Sequence, residues 1–105
     1  MKAEDILESA LELIAERGKD YGNIEDTFKR TAEIATAILG KEFTPYEIAV
    51  IMHSVKLARL KTSPTKIDSY VDGINYLAFA GGFVTNGNPL PVNAGTTGKD
   101  LQEDF

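Results

Sequence analysis

The residues of this chain best suited to chemistry fall into two short runs. His53, Lys56 and Arg59 recur at every third position, and Asp68, Asp72 and Asn75 follow at helical spacing with Tyr76 alongside. Three- and four-residue spacings bring side chains to one side of a helix, so each run projects its polar groups together. Asp72 and Asn75 interrupt an apolar stretch, and a carboxylate in such surroundings is costly unless paired. Two kinds of partner satisfy Asp72. One is Lys56 or Arg59 in an internal ion pair. The other is a Mg²⁺ ion held by Asp68 and Asp72, with Glu25 or Asp26 completing the set, and bridged to a phosphate. In that case Lys56 and Arg59 would contact the phosphate, the arginine through its bidentate fork. Asn75 and Tyr76 could hydrogen-bond to and stack on a base, and they suit core packing equally well. His53 reads either as a satisfied helix histidine or as a further ligand contact. Asp68 has a second reading too, as the acid of a capping box that starts at Thr65.

Composition narrows the alternatives. The 105 residues suffice for one domain. There is no cysteine and only one histidine, which removes disulfides, zinc–thiolate sites and His-rich transition-metal sites. Any metal would be a hard cation on carboxylates. A net charge of −5 disfavours a nucleic-acid backbone as the main partner. The acidic start Met1-Lys2-Ala3-Glu4-Asp5 and the lack of a long apolar run point to a cytoplasmic protein with no membrane partner. Ser9, Ser54, Ser63 and Ser69 sit in no nucleophile elbow, and Gly81-Gly82 forms no phosphate loop.

Four helices are needed to position these groups. The first is expected over about residues 3–17, with Ile6, Leu7, Ala10, Leu11 and Ile14 inward, Glu4, Glu8, Glu12 and Glu16 solvated, and Gly18 just beyond its end. After a loop over 18–22, Asn23 caps the second, whose buried stripe is Ile24, Phe28, Ala32, Ala35, Ile38 and Leu39, and Gly40 ends it. Thr44-Pro45-Tyr46-Glu47 is a complete start signal for the third, which runs to about residue 60 and is apolar all round from Ile48 to Met52. The fourth is expected over about 65–81, with a core face of Ile67, Tyr70, Val71, Ile74, Leu77 and Ala78. The fold class is therefore all-α, a four-helix bundle-like domain over residues 1–83. Residues 84–105 form a polar tail rich in Gly, Pro and Asn, which reads as disordered alone or as an arm anchored on another subunit by Leu90, Val92, Leu101 and Phe105. An all-round apolar third helix also predicts a homo-oligomer.

Asp20-Tyr21-Gly22, Glu25, Phe28, Arg30, Thr44-Pro45, Lys56, Ala58-Arg59, Asp68-Ser69, Val71-Asp72 and Tyr76 together resemble an uncharacterised family of small phage and prophage proteins. The layout is more distantly similar to the all-α MazG and dUTPase-like nucleoside triphosphate pyrophosphohydrolases, and to a nucleotide-modification-associated phage family. The pyrophosphohydrolase resemblance implies an oligomeric helical bundle that holds Mg²⁺ on acids from two helices, with Asp72 in the place of the last acid. The chain departs from that pattern: no Glu-x-x-Glu pair occurs in the second helix, where Glu25 and Asp26 are adjacent and Glu33 lies two turns on. Three functions follow as expectations. One is a protein that sequesters a phosphorylated nucleotide or cyclic nucleotide signal of host antiphage defence, in the host cytoplasm. The second is a Mg²⁺-dependent nucleotide pyrophosphohydrolase, and the third a protein-interaction module.

Overall fold

The caps written into the sequence set three of the helix boundaries. The computed structural model describes residues 1–88, and among them there are four helices and no strand: α1 (Ala3–Tyr21), α2 (Ile24–Leu39), α3 (Pro45–Arg59) and α4 (Ile67–Thr85). At the start of α1 the Asp5 carboxylate accepts from the Lys2 backbone N–H at 2.9 Å. Asn23 Oδ1 accepts the Glu25 N–H at 2.8 Å and so caps α2, which ends on Gly40 in the left-handed region (φ 68°). At α3 the capping box closes in both directions, Glu47 N–H to Thr44 Oγ1 at 3.2 Å and Thr44 N–H to Glu47 Oε1 at 3.0 Å.

Two ends differ from the reading above. Gly18 does not stop α1, which continues to Tyr21 and closes at Gly22 with φ 74°. Gly81-Gly82 does not stop α4, which begins at Ile67 and runs on to Thr85, past the expected domain boundary. Asp68 lies exposed in its first turn, and no side chain caps that helix, so the Thr65 box does not form. A helical glycine costs only about 1 kcal/mol relative to alanine, too little to end a helix against favourable packing. The expectations for the tail beyond Asn88, its apolar anchors included, lie outside the described residues.

The glycines supply a clean stability test. A Cβ at Gly18 would meet nothing within 4 Å, whereas Gly40 has a backbone that L-residues resist. Gly18→Ala is expected to stabilise by about 0.5–1 kcal/mol, and Gly40→Ala to destabilise by about 1–2 kcal/mol. Urea denaturation followed by circular dichroism, at one protein concentration, reads both signs.

α3 and α4, joined by the short 60–66 linker, form the principal pair; α1 lies against α4 and α2 against α3. Phe28 of α2 stands at the centre, with ring centroids 6.2 Å from Tyr76, 5.7 Å from Phe79 and 5.6 Å from Phe83. Ala32, Ile48, Ala49 and Ala80 close round it. This core is small: among the described residues no large side chain is fully buried. Leu7, Leu11, Ile38, Leu39 and Leu77, expected inside, are exposed. The reason is that the outer helices α1 and α2 each lean mainly on one neighbour, which covers a narrower stripe than their sequences supply. The glutamates Glu4, Glu8, Glu12 and Glu16 are exposed, as their spacing requires. No helix among the described residues is long and apolar enough to cross a membrane.

Candidate functional site

The polar residues Ser69, Asp72 and Asn75 of α4 point inward. Its buried face carries Ser69, Val71, Gly73, Asn75, Ala80 and Phe83, while Leu77 and Ala78 of the expected core face look outward. The helix is thus turned so that Asp72 and Asn75 meet α3 on one flank and α1 on the other.

Asp72 sits between two cations. Its Oδ2 lies 3.1 Å from Lys56 Nζ, with both side chains only 13% exposed, and its Oδ1 lies 3.8 Å from Arg17 Nη1, whose side chain is 50% exposed. The ion-pair reading of Asp72 therefore holds with Lys56. Arg59 is exposed at the end of α3 and is not among the cations that pair with Asp72. Arg17 takes the place expected of it. Sequence reasoning missed Arg17 because nothing local says that α1 will lie beside α4; its one signal is a basic side chain, with Lys19 nearby, toward the end of a helix whose earlier charges are all acidic.

Two further contacts hold the site. His53 Nδ1 lies 2.6 Å from the Gly73 carbonyl oxygen. A carbonyl only accepts, so Nδ1 carries a proton and donates. α3 and α4 run close at this point, where a Cβ on Gly73 would touch Lys56 Cβ at 3.5 Å. Asn75, 7% exposed, donates from Nδ2 to the Ala10 carbonyl at 3.0 Å and so ties α4 to α1. Its Oδ1 has no donor among the described residues and is not sealed from solvent.

A cavity of about 200 Å³ opens between α1 and α4. Leu13, Ile14, Ile24 and Phe79 give it apolar walls, Asn75 and Tyr76 line it, and Arg17 and Asp72 stand at its polar edge. Its volume is below the about 300–1,000 Å³ of a whole drug-sized ligand site, which leaves room for a single ring and not for a whole nucleotide. Lys56 lies behind Asp72 and does not line it. Arg17 and Asp72 balance one another at the edge, and Lys56 adds one positive charge set back from the cavity behind Asp72.

The residues proposed for Mg²⁺ are not brought together. Glu25 lies 3.3 Å from Lys29 Nζ and accepts from Asn88 Nδ2 at 3.4 Å, Asp68 is exposed, and Asp72 is committed to its cations. Among the described residues no three Asp, Glu or His side chains gather as a metal site. The donor set does not fit the ion.

Residues 5–83 match the family model described as a domain of unknown function (DUF6378). The chain is 37% identical over 75 residues to the Gene 55 protein of Mycobacterium phage D29, covering 70% of this chain and 50% of that protein. It is 37% identical over 73 residues to the Gene 55 protein of Mycobacterium phage L5, covering 68% and 47%. The chain therefore spans about half the length of the curated relatives it matches. No solved structure matches it.

Proposed function

This chain belongs to the DUF6378 family, and from its own residues we propose that it binds a phosphorylated nucleotide and holds it without hydrolysis. The nucleobase enters the cavity between α1 and α4, with Tyr76 against its ring and Asn75 Oδ1 accepting from an exocyclic amine or ring N–H. The phosphates lie on Arg17 at the edge, in the field of Lys56. The observation that carries this reading is the pairing of a ring-sized cavity, holding a buried amide with a spare acceptor, with the half-exposed guanidinium of Arg17 at its edge and Lys56 set back behind Asp72. A small protein with relatives encoded by phages would in this way sequester a nucleotide or cyclic nucleotide signal in the host cytoplasm, as an antagonist of antiphage defence.

The pyrophosphohydrolase reading rests on Asp68 and Asp72 one turn apart on α4, the place where the resemblance to the MazG-like enzymes puts a metal helix. Against it stand the ion pairs that occupy Asp72 and Glu25. Mg²⁺ is accordingly no part of the proposed binding.

Calorimetric titration with ATP, dUTP, ADP-ribose and 3′,5′-cyclic nucleotides, with and without Mg²⁺, tests this, together with chromatography of each nucleotide after long incubation. The expected result is metal-independent binding with the nucleotide recovered intact. Metal-dependent release of pyrophosphate, lost in Asp72→Asn, would establish the enzyme instead. Absence of binding to the whole panel would leave a protein-interaction module.

A further inference from the structure

Away from the exposed Arg59 and Asp68 at the linker end, the outer side of the α3–α4 pair is uncharged. Between Ser69 and Thr85 the only charged residue of α4 is Asp72, which turns inward to Lys56 and Arg17. Between Pro45 and Leu57 the charged residues of α3 are Glu47, engaged in the Thr44 capping box, and Lys56. Charged residues make up 26% of the chain, so the bare face is a local departure. Ile74, Leu77, Gly81 and Val84 recur along α4 at helical spacing, and Leu77 is 53% exposed. The His53–Gly73 hydrogen bond fastens α3 beside this stripe. Leu57, about one turn beyond His53, extends it across the second helix and is 54% exposed. The hydroxyls nearby are already used within the chain: Tyr70 donates to the Pro64 carbonyl at 2.8 Å, Ser54 to the Val50 carbonyl at 2.9 Å and Thr85 to the Gly81 carbonyl at 3.1 Å.

We propose that this face is where a second copy of the chain docks, in a two-fold dimer with α4 packed antiparallel on its counterpart. Three observations select a second copy. First, the relief is self-complementary: Leu77 is a ridge and Gly81, one turn on, a notch, so about a two-fold axis each Leu77 enters the partner copy's notch. Second, nothing inside a single copy uses that notch. A Cβ at Gly81 would meet no atom within 4 Å, although glycine in a helix costs about 1 kcal/mol relative to alanine. Close approach of another backbone is what glycine there permits. Third, the area is right. Helices of 15 and 19 residues side by side present a face about 25 Å long and about 20 Å wide. Corrugation raises that projection toward the about 800 Å² per partner of a stable complex. Joining two acidic chains through their uncharged faces desolvates no ion, and it completes a core that leaves no large side chain fully buried in one copy.

The test uses the full chain. Light scattering is expected to give a dimer at tens of micromolar, and Leu77→Lys to weaken it at least about thirty-fold, the scale of a central interface residue. Because a chain that needs its partner could unfold with that variant, a milder probe runs in parallel. The chain has no cysteine, so Ala78→Cys, close to the proposed axis, should yield a covalent dimer with a short bis-maleimide. Ile38→Cys, on the exposed apolar stripe of α2, should yield little. A monomeric native chain overturns the proposal. So does a dimer that survives Leu77→Lys, or cross-linking stronger at position 38 than at 78.

Discussion

Lys56→Ala is expected to destabilise the chain by about 2–4 kcal/mol, among the largest effects of any single substitution. Lys56 Nζ lies 3.1 Å from Asp72 Oδ2 with both side chains 13% exposed. Removing one partner of a buried pair leaves the other as an uncompensated charge, which costs about 3–5 kcal/mol; the residual exposure lowers that figure. Arg17 stays with Asp72, but at 3.8 Å and half in solvent it screens weakly. Asp72→Asn should cost less, because a lysine can extend its ammonium toward water while a short carboxylate cannot. Lys56→Met with Asp72→Leu should recover most of the loss, since replacing both partners by apolar groups is often close to neutral. Urea denaturation at one fixed protein concentration orders the three variants. A loss below about 1 kcal/mol for Lys56→Ala would mean that water reaching Asp72 through the cavity already solvates it.

The second large effect is on binding. Arg17→Ala should weaken nucleotide affinity by about 1.5–3 kcal/mol, the range for a hydrogen bond to a charged group, or roughly 10–150-fold. Stability should barely change, because the side chain is half exposed and its contact with Asp72 is long. Arg59→Ala, on an exposed end of α3, should leave affinity unchanged. Calorimetry on the two variants separates the site at the α1–α4 cavity from one on the α3 stripe. Loss of affinity in Arg59→Ala with none in Arg17→Ala would move the phosphate site to α3.

How much of this was legible in the sequence depends on how local each signal is. Caps are local, so Asn23, Gly40 and the Thr44–Glu47 box fell where their spacing put them. Asp72 was legible as a group needing a partner, because an acid in an apolar stretch carries its own demand for compensation. The rotation of α4 was not legible. Its outward stripe of Ile74, Leu77 and Val84 is more apolar than its inward one, and hydrophobic periodicity turned the helix toward its more apolar side. If a second copy covers that stripe, periodicity reported a real burial and assigned it to the wrong partner. Arg17 and Arg59 show the same limit: both are basic and near helix ends, and only the packing of α1 on α4 selects between them. The glycines misled for an energetic reason. Gly18 and Gly81 lie within helices because tertiary contacts outweigh about 1 kcal/mol of propensity.

The central claim is that a nucleotide occupies the cavity between α1 and α4, and amide-resolved NMR of the ¹⁵N-labelled chain tests it most directly. Titration with the tightest nucleotide of the calorimetric panel should shift the backbone signals of Arg17, Gly18 and Gly22 and the side-chain amide of Asn75, all of which line the cavity. Signals from a second, more open groove, which is lined by Lys29, Glu33 and Glu42 between α2 and the start of α3, should stay in place. Shifts confined to that groove or to the exposed end of α3, with Asn75 undisturbed, would contradict the account.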